Sequence, residues 1–292
     1  MVGTTNYLAV EKISDGFRQK FFSLSPTPMP ILKFNDAEIY YEVAGQGQPF
    51  VMLHAGIAHS AMWEPQVEYF SRDYRVITYD QRGFGKTVTH TKEFNRRADL
   101  LALFDHLNVD RAILMGCSMG GGLALDFTLE HPERVSELIL IAAGISGTPP
   151  DPNLVKGWQE QDAALSAGDL EKVIDLELKM WVDGPNRTLA QVPAHVREKV
   201  RAMELDNLKL DTEDYKSAQL EPSAVGRLKE IKIPTLVIFG TGDQPSVIQN
   251  GQTLAREIPL AQELVLEHIG HVPNMEMPGE VNRAIEGFLK KN

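Results

Sequence analysis

The chain holds one cysteine, Cys117, in 292 residues. An internal disulfide and a cysteine-rich metal site are therefore both excluded. No apolar run comes near the roughly 20 residues needed to cross a bilayer, so no membrane partner is expected. Residues 1–30 lack the continuous apolar stretch of a secretory signal, which makes a cytoplasmic location the expectation. Positive charge is scarce: 29 Lys and Arg against 40 Asp and Glu leave a net charge of −11. Gripping a phosphate backbone takes clustered Lys and Arg, so the balance argues against a nucleic-acid partner. Internal repeats and low-complexity tracts are missing too. With 43% hydrophobic and 24% charged residues, the chain has the profile of a globular protein long enough to bury a sizeable core.

Within the first 30 residues, Val10, Ile13, Phe17 and Phe21 recur at helical spacing, which predicts a short amphipathic helix over 10–22. Pro26, Pro28 and Pro30 then break it into an extended linker. Beyond this extension the chain alternates. Strand-like apolar runs fall at Ala37–Val43, Pro49–His54, Tyr74–Tyr79, Ala112–Met115, Leu138–Ala143, Thr235–Phe239 and Glu263–Leu266. Helical patterns fall between them, at Met62–Phe70, Ala98–Leu107, Gly120–Leu129, Val247–Ile258 and Glu280–Leu289. Continuous apolar strands separated by helices predict an α/β fold with a mostly parallel sheet covered on both faces. The glycines of Gly45-Gln46-Gly47-Gln48 predict a hairpin between the first two runs, hence a mixed sheet at its start.

One stretch interrupts the alternation. Residues 146–227 show three helical patterns, Leu154–Leu165, Leu170–Trp181 and Val196–Leu210, with Asp169 placed to cap the second, and no convincing strand. The expected organisation is therefore an extension over 1–30, a core over 31–145 and 228–292, and an inserted helical cap over 146–227.

The chemistry-bearing residues gather in four segments. Gly116-Cys117-Ser118-Met119-Gly120 lies between an apolar strand and a helix, the setting of a G-x-S-x-G nucleophile elbow. Glycines are needed there because side chains flanking a strained strand–helix turn would collide. The alternative is an inert serine in a glycine-rich turn. A serine hydroxyl needs a base later in the chain. His271, in Gly270-His271-Val272-Pro273 after the last strand, is better placed than His268, His90, His106, His131 or His195. A carboxylate must orient that base. Asp243 follows the strand Thr235–Phe239 and reaches the same sheet rim, with Asp151 as the second candidate. The loop Leu53-His54-Ala55-Gly56-Ile57 follows an earlier strand. Its Gly56 N–H is the expected second oxyanion donor beside the N–H of Met119. Ile57 and Trp181 are the candidate pocket residues; His59 is a weaker one, and His54 reads as structural. Cys117 reads as a small buried filler.

Together with Asp80-Gln81-Arg82-Gly83-Phe84-Gly85, Gly240-Thr241-Gly242-Asp243 and Gly270–Pro278, the elbow makes residues 31–290 resemble the α/β-hydrolase superfamily. The likeness is to its cap-bearing branch of haloperoxidase-like esterases, enol-lactonases and C–C bond hydrolases. The resemblance implies an eight-stranded sheet, a Ser118–Asp243–His271 triad, a helical cap and no metal or organic cofactor. It also implies a structural role for Asp80 and Arg82. One residue departs from the pattern: Ala55 stands where the family has glycine after histidine. The expected substrate is a small carboxylic ester. A lactone, a C–C bond in a diketone, and a ligand receptor that keeps a hydrolase pocket are the alternatives. Oligomeric state is not legible.

Overall fold

The computed structural model describes residues 30–210, 212 and 215–292. The helix expected over 10–22 and its proline linker lie outside the described residues, apart from Pro30.

Strands β1 (Ile31–Phe34) and β2 (Ala37–Ala44) open the fold as an antiparallel pair, with Phe34 opposite Ala37. Asn35 and Asp36 form the two-residue turn at φ 42° and 55°. That is the left-handed geometry a tight hairpin requires at both central positions, and Asn and Asp tolerate it. Next come β3 (Gln48–Leu53), helix α1 (Glu64–Phe70), β4 (Tyr74–Tyr79), the two-residue strands β5 (Val88–Thr89) and β6 (Glu93–Phe94), and α2 (Arg96–His106). Strand β7 (Ala112–Cys117), α3 (Met119–Glu130) and β8 (Val135–Ile141) build the centre.

Strands β10 (Thr235–Gly240) and β11 (Ala261–Leu266) come later in the chain, followed or separated by α7 (Pro245–Glu257), α8 (Pro273–Glu276) and α9 (Pro278–Leu289). The sheet runs β1-β2-β4-β3-β7-β8-β10-β11, with β5 added against β2. All pairings from β4 to β11 along this path are parallel, while β2 is antiparallel to both β1 and β4. The mostly parallel sheet is as expected; the early hairpin is not. Strand β4 inserts between β2 and β3, so the segment Gly45–Gln48 joins strands that are not neighbours. Its glycine has another use. A Cβ on Gly45 would sit 2.2 Å from the Ser71 carbonyl oxygen and 2.3 Å from that of Tyr74. The turn thus crosses tightly over the α1–β4 connection, and the hairpin signal lay ten residues earlier, in Asn35-Asp36.

Two apolar layers cover the sheet. Alternate residues of each central strand face opposite ways: Val51, Leu53, Leu114, Leu138, Leu140, Val237 and Phe239 pack with α2 and α3. Phe50, Met52, Ile113, Met115, Ile139, Ile141, Leu236 and Ile238 pack with Trp63, Phe70, Val281, Ile285 and Phe288. Burial on both faces is why these strands read as unbroken apolar runs.

Between β8 and β10 lie α4 (Pro152–Ser166), α5 (Leu170–Glu177) continued by a wider turn over Leu178–Asp183, and α6 (Ala194–Asn207). The Asp169 carboxylate accepts from the Lys172 N–H, the expected cap. Ile174, Leu178, Val182, Val196, Val200 and Met203 join the second apolar layer. This insertion is not wholly helical. Lys216–Ser217 forms a two-residue strand, β9, parallel to β6. A pairing that short has no periodicity to betray it. Among the described residues no helix is long and apolar enough to cross a membrane.

Candidate active site

Strand β7 delivers Ser118 to the C-terminal rim of the sheet. The serine adopts φ 53°, ψ −114°, a conformation L-residues avoid, immediately before α3. Its flanking glycines are fixed by close backbone contact. A Cβ on Gly116 would lie 2.1 Å from the Gly120 carbonyl oxygen, and one on Gly120 would lie 2.2 Å from that of Leu53. Strand, turn and helix therefore close on one another only without side chains there, and the Ser118 side chain makes no capping hydrogen bond to α3.

His271 and Asp243 arrive from the ends of β11 and β10. The His271 Nε2 lies 2.7 Å from Ser118 Oγ, and its Nδ1 lies 2.7 Å from Asp243 Oδ2. The remaining Asp243 oxygen accepts from the Gln244 N–H at 2.7 Å. These contacts fit one tautomer: the imidazole donates from Nδ1 to the carboxylate and accepts the hydrogen bond of the Ser118 hydroxyl at Nε2. Asp243 and His271 are both buried, so the carboxylate acts in a setting that screens it weakly. Asp151 takes no part. It caps α4 by accepting from the Asn153 N–H.

The loop expected to carry the second oxyanion donor comes from the end of β3. A Cβ on Gly56 would lie 3.8 Å from the Met119 Cβ, so the two residues are neighbours across the elbow. Met119 opens α3, where backbone N–H groups precede the helical ladder and the dipole favours negative charge. His54 shapes this loop. Its Nδ1 donates to the Ala55 carbonyl at 2.8 Å and its Nε2 accepts from the Gln81 N–H at 2.9 Å. Burial pushes its imidazole down to about 4, against the opposing pull of Asp80, so it stays neutral in that role. Ala55, the departure from the family pattern, is fully buried and accommodated. Asp80 accepts from the N–H groups of Ser60 and Lys86. Arg82 forks onto Asp99 and donates to the carbonyls of Phe34 and Asn35. Both brace the loops around the site.

A cavity of about 690 Å³ opens over Ser118. Gly56, Ile57, Met119, His271, Trp158 and Trp181 line it, as do Arg96 and Glu177. Trp181 packs its ring on the His271 ring with centroids 4.5 Å apart. His59 is not among the lining residues; its Nδ1 accepts from the Ala61 N–H. The Cys117 thiol is buried with Sγ 3.7 Å from the His271 carbonyl oxygen, and burial raises it far above the range of a reactive thiolate.

Two features of the surroundings escape motif reading. The first is a buried ion pair, Arg187 with Glu276, at 2.6 Å and 3.1 Å. Arg187 comes from the insertion and also donates to the carbonyls of Val182, Asp183 and His268. Glu276 accepts from the Gly270 N–H at 3.0 Å, next to His271. The second is a pair of carboxyls on facing helices of the insertion, Glu177 at the end of α5 and Glu204 on α6. Burial pushes Glu177 up to about 7, with His271 pulling the other way. Burial and the neighbouring Glu177 push Glu204 up to about 8, with the Asn207 side chain opposing. Neither position carries a sequence signal beyond a charged residue in an amphipathic helix.

Glu204 makes stability depend on pH. Its ordinary value is 4.5 and its folded value about 8. Between those values the folded chain keeps a proton that the unfolded chain has released, so stability falls as pH rises across the window. Glu204→Gln removes the ionisation. Urea unfolding at about pH 8.5 is expected to show the variant stabilised by ~2 kcal/mol, the gain vanishing near pH 4. A gain equal at both pH values would disprove the burial of an acidic proton at this position.

A sheet of this order, with a hydroxyl, an imidazole and a carboxylate converging on its C-terminal rim, defines a hydrolase architecture. The chain belongs to the alpha/beta hydrolase fold family, whose model matches residues 48–278. It is 27% identical over 280 residues to 3-oxoadipate enol-lactonase 2 of Acinetobacter baylyi, covering 90% of this chain and 99% of that protein. It is 28% identical over 304 residues to 2-hydroxy-6-oxo-6-phenylhexa-2,4-dienoate hydrolase of Comamonas testosteroni, covering 96% of this chain and 99% of that protein. Among solved structures it resembles Est816, described as an N-acyl homoserine lactone degrading enzyme. That match has a TM-score of 0.71 and 28% identity, and it covers 89% of this chain and all of the other. These likenesses make the chain a hydrolase.

Proposed function

We propose that this hydrolase cleaves small carboxylic esters, cyclic esters included, through an acyl-enzyme on Ser118. The observation that carries the reading is the continuous relay Ser118 Oγ–His271 Nε2 and His271 Nδ1–Asp243 Oδ2, each link 2.7 Å. In it, Ser118 attacks the carbonyl carbon while its proton passes to Nε2. Asp243 holds the ring and stabilises the imidazolium. The N–H groups of Met119 and Gly56 receive the oxyanion. His271 then returns its proton to the departing alkoxide. Water attacks the acyl carbon, giving its proton to Nε2, and Ser118 leaves with that proton restored.

The segment 146–227 acts as a cap in this reading, because Trp181 lies on His271 while Trp158 and Glu177 line the same cavity. Such a wall keeps bulk water from the acyl-enzyme and shapes the acyl channel. Two relatives support an ester-type carbonyl: an enol-lactonase by name, and a protein described as degrading an acyl lactone. In a lactone the alkoxide stays tethered to the acyl group, and the same relay serves.

Incubation with a p-nitrophenyl alkylphosphonate tests the reading. Release of one p-nitrophenolate per chain is expected, with the phosphonyl mass on the peptide containing Ser118 and loss of esterase activity in proportion. Labelling confined to another residue, with activity intact, would refute it.

A further inference from the structure

We propose that Glu177 is the specificity-determining residue of the pocket: its carboxyl receives a neutral hydrogen-bond donor on the substrate, an acylamino N–H beside the scissile carbonyl, and disfavours a carboxylate in the same place. The inference rests on the hydrolase reading above and names its substrate class.

Three observations lead to it. Glu177 stands one helical turn before Trp181, whose ring covers His271, and both residues line the cavity over Ser118. Its carboxyl also interacts electrostatically with His271, which places it near the reacting centre. Lastly, its Oε2 is shut off from solvent without a hydrogen-bond partner.

Among the described residues the other buried carboxylates are answered within the protein, Glu204 by the Asn207 side chain. Asp80 has two backbone N–H groups, Asp99 has Arg82, Asp183 has Arg197, Asp243 has His271 and Glu276 has Arg187. A desolvated acceptor left unanswered costs stability, and such exceptions gather at sites of function. Here the missing donor is one the substrate supplies.

The charges around Glu177 fix the sign of the preference. His271 faces it from the loop after β11, and Glu204 faces it from α6. From α4 the cavity receives Leu154 and Trp158, both apolar; the other carboxylates on its wall, Asp126 and Asp151, accept from the Ser146 hydroxyl and the Asn153 N–H. Two guanidiniums share the cavity wall: Arg96 lies over the rings of Phe84 and Phe94 and donates to the Arg82 carbonyl, and Arg97 pairs with Glu130 and donates to the carbonyls of Ala218 and Gln219. The Arg96 charge acts on Tyr79, Asp99 and His54, and neither guanidinium is among the charges that act on Glu177. A substrate carboxylate beside Glu177 would therefore meet a carboxyl that no guanidinium compensates, with Glu204 behind it, whereas an N–H meets an unpartnered acceptor.

Three matched ethyl esters read this out: N-acetylglycine ethyl ester carries the donor, N-acetylsarcosine ethyl ester lacks it, and monoethyl succinate carries a carboxylate. In the wild type the donor ester is expected to exceed the sarcosine ester in kcat/KM by about ten-fold, chiefly through KM. Glu177→Leu brings that ratio to about one and raises the relative use of monoethyl succinate about ten-fold. Glu177→Gln, isosteric and still an acceptor, keeps the donor preference and loses the penalty on the carboxylate. From about pH 6 to 8 the penalty grows in the wild type, as Glu177 ionises, and is flat in Glu177→Gln. A merely structural glutamate would not move that ratio.

Binding of the same esters to the Ser118→Ala protein, by calorimetry, measures the preference without turnover. If the wild type hydrolyses none of the esters yet the binding ratio is present, the acyl-enzyme reading fails and the role of Glu177 stands. If hydrolysis proceeds but the ratios are equal in wild type, Glu177→Leu and Glu177→Gln, the role of Glu177 is overturned alone. Absence of discrimination in both readouts overturns it as well.

Discussion

Ser118→Ala is expected to lower kcat/KM toward a small ester by about a million-fold, the scale of losing a nucleophile from such a relay. KM should barely change, because the alanine leaves the cavity walls and the N–H groups of Met119 and Gly56 in place. The loss is large because the other parts cannot act without the hydroxyl. With Oγ gone, His271 has no proton to accept, and Asp243 stabilises a charge that never forms. Additivity therefore fails: the double variant Ser118→Ala, His271→Ala should be no slower than Ser118→Ala alone. Steady-state kinetics on one chromogenic ester, at enzyme concentrations high enough to see residual turnover, decide the point. A loss of only ten-fold would mean that another group performs the attack. The experiment also separates an enzyme from a ligand receptor with the same pocket, since a receptor would show no rate to lose.

The elbow was legible in the sequence because its constraint is local. Gly116 and Gly120 are excluded from carrying side chains by backbone atoms that any strand–turn–helix of this shape brings together. Asp243 was singled out from the same geometry, since parallel strands end on one rim, and His271 from its place in a shaped loop after the last strand. The hairpin was misread for a reason of the opposite kind. Gly45 and Gly47 signal a tight passage of backbone, and a sequence does not say whether the tightness serves a two-residue turn or a crossing over Ser71 and Tyr74. The actual turn residues, Asn35 and Asp36, carry a weaker propensity at the same backbone angles. Two further features had no local trace. The β6–β9 pairing spans two residues per strand, too few for a period. Glu177 and Glu204 look like solvated positions on amphipathic helices. Only the packing of α5 against α6 and over His271 turns them into buried acids.

Glu276→Ala is expected to destabilise the fold by about 3–5 kcal/mol, lowering the melting temperature by roughly 10 °C. Arg187 and Glu276 are 2% and 1% exposed in their side chains, so removing one partner strands a charge where water cannot reach it. The net worth of the pair is smaller than that penalty. A double variant, Arg187→Met with Glu276→Leu, should lose less than Glu276→Ala alone, because no orphan charge remains. The pair also reaches the site. Glu276 accepts from the Gly270 N–H at 3.0 Å, and Arg187 donates to the His268 carbonyl, so it clasps both ends of the turn that presents His271. Loosening that turn lengthens the Ser118–His271 contact, and kcat for ester hydrolysis should fall by about ten- to a hundred-fold at temperatures where the variant is still folded. Glu276→Gln divides the two roles. Its amide oxygen still accepts from Gly270, so kcat should hold within a few-fold of wild type, while the unpaired Arg187 keeps most of the stability loss. Thermal unfolding and kcat measured on the three variants test both halves. If kcat falls equally in Glu276→Gln and Glu276→Ala, the Gly270 contact has no part in placing the imidazole, and charge neutralisation alone is what Glu276 provides.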